Sequence, residues 1–192
     1  MSSLTGKDAY RVRPLDNSDV AAVIDLVNEA FMEDAFFKVP EKRQRLKKND
    51  DDGADMGVES FGEVLRTSTF LVAESMCESN ELLGCIRVDR SKATSTVVGS
   101  FGMLSVPKRN QNRGIGKALV RAAEEYALNE LACKRLEIAV VNIRTPVVRF
   151  YQGLGYREFG EPVDFDGLVG GEFLAPEYKG IVKFIWMGKY LV

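Results

Sequence analysis

The spacing of apolar residues changes period several times along the chain, and each change marks an element. Residues 10–14 alternate and predict a short strand. Asp16 to Ser18 offer helix N-caps, and Val20, Val23, Ile24, Val27, Ala30 and Phe31 then recur at helical spacing, so a helix is predicted over 19–31. Residues 58–67 fit a second helix. The period then shifts to two. Residues 69–73, 82–88 and 97–106 read as three strands separated by polar turns, most simply an antiparallel meander. The strongest helix of the chain is predicted over 114–131, where Ile115, Ala118, Leu119, Ala122, Ala123, Tyr126 and Ala127 line one face. A strand at 135–141 and a short helix at 145–154, stopped by Gly155, follow. Residues 156–159 and 183–190 read as closing strands around an acidic loop at 160–180. This order predicts one α/β domain over 1–192, with a mixed, mostly antiparallel central sheet flanked by helices.

The stretch 41–57 breaks the pattern. It carries a basic run at 42–48 and an acidic run at Asp50–Asp52, and it reads as a charged, solvated and mobile insertion, with a binding arm as the sharper alternative.

Composition narrows the chemistry. Apolar residues make up 45% and charged residues 28% of the 192, an ordinary globular balance, and the net charge of −2 gives no reason to expect a nucleic-acid partner. No apolar run approaches the roughly 18 residues of a membrane span, and residues 1–9 lack an apolar signal core, so a cytoplasmic protein without a membrane partner is expected. There is no histidine, which excludes Ser-His and Cys-His triads and His-ligated metals. The three cysteines, Cys77, Cys85 and Cys133, are widely spaced and suggest neither a disulfide framework nor a metal site. Acid-base work falls to Tyr, Glu, Asp, Lys, Cys, backbone or water.

One segment stands out for an anion. Gln111, Asn112, Arg113, Gly114, Ile115 and Gly116 follow an apolar strand and open the strongest helix. A helix N-terminus presents unpaired N–H groups and partial positive charge. Gly114 and Gly116 let the backbone approach an anion, and Lys108, Arg109, Arg113 and Lys117 surround the turn. The stretch is not a P-loop, because Ala118 follows Gly116-Lys117 and Gln111 stands where the first glycine belongs. It is not a Rossmann fingerprint either, since no third glycine follows. A diphosphate site and a merely tight turn both fit the turn by itself.

Residues 104–119, taken with Phe150-Tyr151-Gln152-Gly153-Leu154-Gly155-Tyr156 and the strand between them, resemble the GNAT superfamily of N-acetyltransferases. The first stretch matches that family's Q/R-x-x-G-x-G/A motif and the second its F-Y-x-x-x-G-[FY] segment. The resemblance implies a sheet splayed at an acetyl-CoA cleft, acetyl-CoA as co-substrate, no metal, and transfer of the acetyl group to a primary amine of a small molecule or protein by direct attack. Met103, Leu104 and Val106 would lie along the pantetheine. The backbone from Gln111 through Asn112, Arg113, Gly114 and Ile115 to Gly116, with Lys117, would hold the pyrophosphate. Tyr151 would be the general acid for the departing thiolate; a ring that only packs is the alternative.

The chain departs from the family twice. Arg144 stands where an Asn often contacts CoA, with Asn142 two residues earlier; Arg144 either reaches the ligand or faces water. Ser100 stands where some members carry a glutamate base. The base is left among Glu74, Glu137, Glu158 and water, and Cys85 lacks a partner that would make it a nucleophile. The acceptor is unassigned, although Asp164, Asp166, Glu172 and Glu177 hint at a cationic one. A homodimer, a different acyl-CoA donor and a non-catalytic CoA-binding regulator are the readings left beside this one.

Overall fold

A computed structural model describes residues 9–31, 46–47, 59–77, 81–90, 98–165 and 174–192. Strand β1 is Tyr10–Pro14 and helix α1 is Val20–Phe31. Between them Asp16 caps the chain, accepting from the Ser18 N–H at 3.0 Å, while Asp19 accepts from the Asp16 N–H at 2.8 Å. The expected insertion at 41–57 lies outside the described residues except for β2, Leu46–Lys47, which pairs in parallel with β3, Glu59–Ser60. The second helix, α2, is Phe61–Thr67, shorter than expected because β3 takes its first residues.

The meander forms as read. Strands β4, Thr69–Ser75, β5, Leu82–Arg90, and β6, Val98–Ser105, are antiparallel neighbours. Helix α3, Ile115–Asn129, leads to β7, Arg135–Val141, and α4, Thr145–Gly153, leads to β8, Arg157–Asp164, and β9, Lys183–Tyr190. The main sheet has seven strands in the order β1-β4-β5-β6-β7-β9-β8. β6 and β7 are its parallel pair among the described residues. The last strand therefore inserts between β7 and β8, which the sequence did not suggest. The loop expected at 160–180 begins as strand, with β8 running to Asp164, and residues 166–173 lie outside the described residues. Tyr156 is core rather than strand and is fully buried.

Alternation along the strands splits the core in two. Phe70, Val72 and Cys85 face α1, where Val23 and Val27 are fully buried. Burying either valine contributes on the order of 1.5–3 kcal/mol. Leu71, Ile86, Val88, Phe101, Leu136 and Ile138 face α3 and α4 on the opposite side. Among the described residues no helix is long and apolar enough to cross a membrane.

An ion network ties β1, β4 and the start of α1 together. Arg13 donates to both oxygens of Asp19, at 2.6 and 3.1 Å, and to both of Glu74, at 2.8 and 3.1 Å; Arg11 adds a bond to Glu74 at 2.6 Å. The Arg13 guanidinium, with help from Arg11, holds the Glu74 carboxyl down at about 2. A carboxyl lowered in the folded state stabilises above its unfolded value and loses that contribution as pH falls toward the folded value. Wild type should melt at a higher temperature than Glu74→Gln at pH 6, with the gap closing between pH 4.5 and 2. A constant gap across that range in thermal melts would show that the network does not act through the Glu74 charge.

Candidate active site

The site begins where the sheet comes apart. β6 and β7 pair only at Val98 with Arg135, Gly99 with Leu136 and Ser100 with Glu137. β6 runs on to Ser105 and β7 to Val141, but no longer side by side. A cleft of about 640 Å³ opens between them, with Gly102, Met103, Leu104 and Val106 on one wall and Ile138 to Val141 on the other. That volume lies in the range of small-molecule sites. A bulge shapes the first wall. Across two steps of β5, from Cys85 to Arg87, β6 uses three, from Ser105 to Gly102. Met103 takes the left-handed φ of 49° that the extra residue requires, and its carbonyl accepts from the Ser105 hydroxyl at 3.2 Å.

The turn expected to hold an anion lines this cleft. Pro107 leads into a 3-10 turn, Lys108–Asn110, and α3 starts at Ile115. The turn is held by its own side chains. Gln111 Nε2 donates to the Val106 carbonyl at 2.9 Å, buried Asn110 donates to the Leu83 carbonyl at 3.4 Å, and Arg113 Nη1 donates to Asn110 Oδ1 at 3.2 Å. Gly114 sits at φ 80°, left-handed, a conformation costing other residues roughly 1–2 kcal/mol. No side chain caps α3, so its first N–H groups are not taken up that way, and Gly114, Ile115, Gly116 and Lys117 line the cleft. Gln111 and Asn112 line it too, whereas Arg113 does not.

Tyr151 and Arg144 come to the cleft from α4 and its N-cap. Tyr151 is 3% exposed, and its ring is held edge-on by Phe150, Phe101 and Tyr156, with centroids 5.1, 5.6 and 5.9 Å away. Burial pushes the Tyr151 phenol well above its ordinary range, and the charge of Arg144 opposes this only in part. Asn142 does not join them. Its side chain donates to the Ile181 carbonyl at 3.0 Å and accepts from the Lys183 N–H at 2.9 Å, tethering the end of β7 to the start of β9.

None of the candidate bases lines the cleft. Glu74 is in the β1–β4 network, Glu137 lies 2.9 Å from Arg135 Nε, and Glu158 is exposed on the edge strand. Asp164 is 3.4 Å from Lys183 Nζ, so it is not a free acidic hint. Sequence reasoning missed Glu29 and Ala30 at the end of α1, Pro107, Asn110, Val147, Phe150 and Phe184, which all line the cleft. Glu29 brings a carboxylate, but Arg109 Nη1 holds both its oxygens, at 2.8 and 3.1 Å. Phe150 was within reach, being the first residue of the quoted F-Y segment; nothing in the residue pattern told where the end of α1 would land. Among the described residues no cluster of His, Cys, Asp or Glu forms that could hold a metal ion.

A cleft at the break of an open sheet, lined both by a helix N-terminus without a side-chain cap and by a buried tyrosine, has groups that could receive an extended ligand bearing a diphosphate. Residues 24–156 match the model of the Acetyltransferase (GNAT) family, and the chain belongs to that family. It is 33% identical over 81 residues to the uncharacterized protein YdhI of Bacillus subtilis (strain 168), covering 42% of this chain and 46% of that protein. It is 28% identical over 108 residues to the L-amino acid N-acetyltransferase AaaT of Escherichia coli (strain K12), covering 56% and 65%. The chain thus spans about half to two thirds of these curated relatives. The fold is that of yncA, a putative acetyltransferase from Salmonella typhimurium solved with acetyl-CoA, with a TM-score of 0.66 at 14% identity over 96% and 95% of the two chains.

A charge placed in the turn should act on the ligand and spare the fold. A Cβ on Gly116 would stand 3.6 Å from Phe150 Cζ, an ordinary contact, and needs no left-handed backbone. Gly116→Asp should therefore melt within a few degrees of wild type yet lose the thermal stabilisation by acetyl-CoA, which for wild type is about 2.7 kcal/mol at a hundredfold excess over Kd. A variant stabilised like wild type would make the turn merely structural.

Proposed function

We propose that this chain transfers an acetyl group from acetyl-CoA to a primary amine, by direct attack with both substrates bound to a single domain. The observation that carries this reading is the break between β6 and β7 after Ser100 and Glu137, flanked by the uncapped start of α3 and by Tyr151. Family membership and the amine acceptor in the printed name of the relative AaaT agree with it.

The residues divide the work. The unpaired edge at the end of β6, from Met103 on to Val106 just beyond it, offers backbone groups to the amides of the pantetheine, as another strand would. The α3 N-terminus holds the pyrophosphate through N–H groups, favoured by the helix dipole and by Lys117. Arg144, at the head of α4, supplies a further cation at the cleft. Bound acetyl-CoA supplies an activated thioester. The Tyr151 phenol stays neutral because burial raises its pKa, so it is a hydrogen-bond donor throughout the neutral range. As the C–S bond breaks, that hydroxyl donates to the sulfur, where negative charge grows.

The amine must be neutral to attack. For a lysine-like amine of pKa about 10.4, the neutral form costs about 4.6 kcal/mol at pH 7. Glu74, Glu137 and Glu158 stand off the cleft, so water takes the proton in this scheme.

Tyr151→Phe removes one hydroxyl and keeps the ring among its aromatic neighbours. Its single-turnover rate should fall by roughly 10²-fold or more, with acetyl-CoA affinity changed only a few-fold. In wild type the rate should rise with pH as the amine loses its proton and show no alkaline loss up to about pH 10, the ordinary phenol value. A Phe variant with wild-type single-turnover rates would reduce Tyr151 to packing, and a wild-type loss well below pH 10 would contradict the raised phenol.

A further inference from the structure

The cleft is lined from both faces of the sheet, and the two faces differ in character. α3 and α4 pack into the core that holds Phe101, Ile138 and Val140, and Tyr151 belongs to it. The cations of the lining sit with these helices: Lys108 in the turn before α3, Lys117 on α3 and Arg144 at the head of α4. Ile138 and Val140 point to that face, so Ala139 and Val141 point to the other. Met103 packs against the core beneath α1, and Phe184 stands opposite Val141 across the β7–β9 ladder and shares its face.

On the α1 face the cleft is lined by Met103, Ala139, Val141 and Phe184, with Glu29 and Ala30 from the end of α1. Among the described residues Glu29 is the charged group of that lining, and Arg109 Nη1 holds both its oxygens, at 2.8 and 3.1 Å. The other five are apolar. Phe184 is fixed by what lies behind it. Its ring stacks on Phe165, with 4.9 Å between centroids and 22° between planes. Phe165 is itself fully buried, in a small core with Val141, Leu174 and Val182. Ala139, two residues back from Val141 along β7, is exposed, so the strip of sheet beside Phe184 is open to a ligand. The cleft thus contains an apolar patch with one rigid aromatic wall, on the face opposite α3 and α4.

We infer that this patch receives the body of the acceptor, that the acceptor is a primary amine carrying an aromatic or other apolar group, and that Phe184 is its specificity residue. This rests on the acetyl-transfer reading above. With α3 and α4 engaged by the cofactor, the acceptor comes to the thioester from the α1 face. An aromatic ring on the acceptor gains there by removing its own surface and that of Phe184 from water, and by offset or edge-on packing of the two rings. A second ammonium on the acceptor would be buried among apolar groups, with the nearby Glu29 already paired, which disfavours diamines. The same surroundings bear on the absence of a carboxylate base. Burial among apolar groups disfavours the charged form of an amine, so the form this patch retains is the neutral nucleophile.

The test is release of the CoA thiol from acetyl-CoA, read as kcat/KM for phenethylamine, ethanolamine and putrescine. Wild type should favour phenethylamine over each of the others by on the order of 10- to 100-fold, the discrimination that contacts in an apolar pocket supply. Phe184→Ala should remove most of that ratio, chiefly by raising KM for phenethylamine, and Phe184→Leu should keep part of it. A variant that only weakened the fold would lower all three amines together and leave the ratio standing. Ala139→Asp, at an exposed position, puts a carboxylate into the patch and should turn the preference toward putrescine. Should Phe184→Ala fail to fold in a thermal melt, the wild-type ratio, Phe184→Leu and Ala139→Asp decide. A wild type that uses ethanolamine or putrescine as well as phenethylamine, or a ratio that survives Phe184→Ala, overturns the inference and leaves the acetyl-transfer reading standing. If none of the three amines releases CoA, the inference is overturned, and the acetyl-transfer reading falls with it if acetyl-CoA also fails to raise the melting temperature.

Discussion

Everything at this site depends on two neighbouring strands that stop pairing. Backbone N–H and C=O groups are obligatory hydrogen-bonding groups, so two strands that diverge must each be held from the far side. That is how β6 and β7 are arranged. β7 pairs along its whole length with β9, from Arg135 with Tyr190 to Val141 with Phe184. β6 is tied to β5 on both sides of its bulge. With each strand anchored outward, their inner edges part beyond Ser100 and Glu137, and helix α4 brings Val147, Phe150 and Tyr151 to the gap.

Two parts of the cleft lining differ in electrostatic character. Before α3, a turn pinned by Gln111, Asn110 and Arg113 leads into helix N–H groups that no side chain caps, with Gly114 left-handed so that the chain can turn without a side chain in the way. On α4, burial among aromatic rings keeps a phenol neutral. In the proposed reading the first meets the phosphates of the ligand and the second its leaving sulfur.

What could be read from the residue order was what the backbone period and local turn chemistry encode. The helical register of α3, the alternation of β4 to β6 and the glycine turn at 114–116 are local properties, and they came through. Of the residues expected at the ligand, Met103, Leu104, Val106, Gln111, Asn112, Gly114 to Lys117 and Arg144 line the cleft, and Arg113 turns back onto Asn110. Long-range pairing did not come through. Nothing local says that β9 slots between β7 and β8, that the end of α1 reaches the cleft, or that Glu74 is captured by two arginines from β1.

The central claim is that the open edge of β6 and the start of α3 receive the ligand. Backbone amide hydrogen exchange with and without saturating acetyl-CoA tests it most directly, because the claim concerns backbone N–H groups. The account predicts slowed exchange concentrated at residues 103–106 and 111–117, with β1 and β4 unchanged. Slowing confined to other segments, or none on β6, would contradict it.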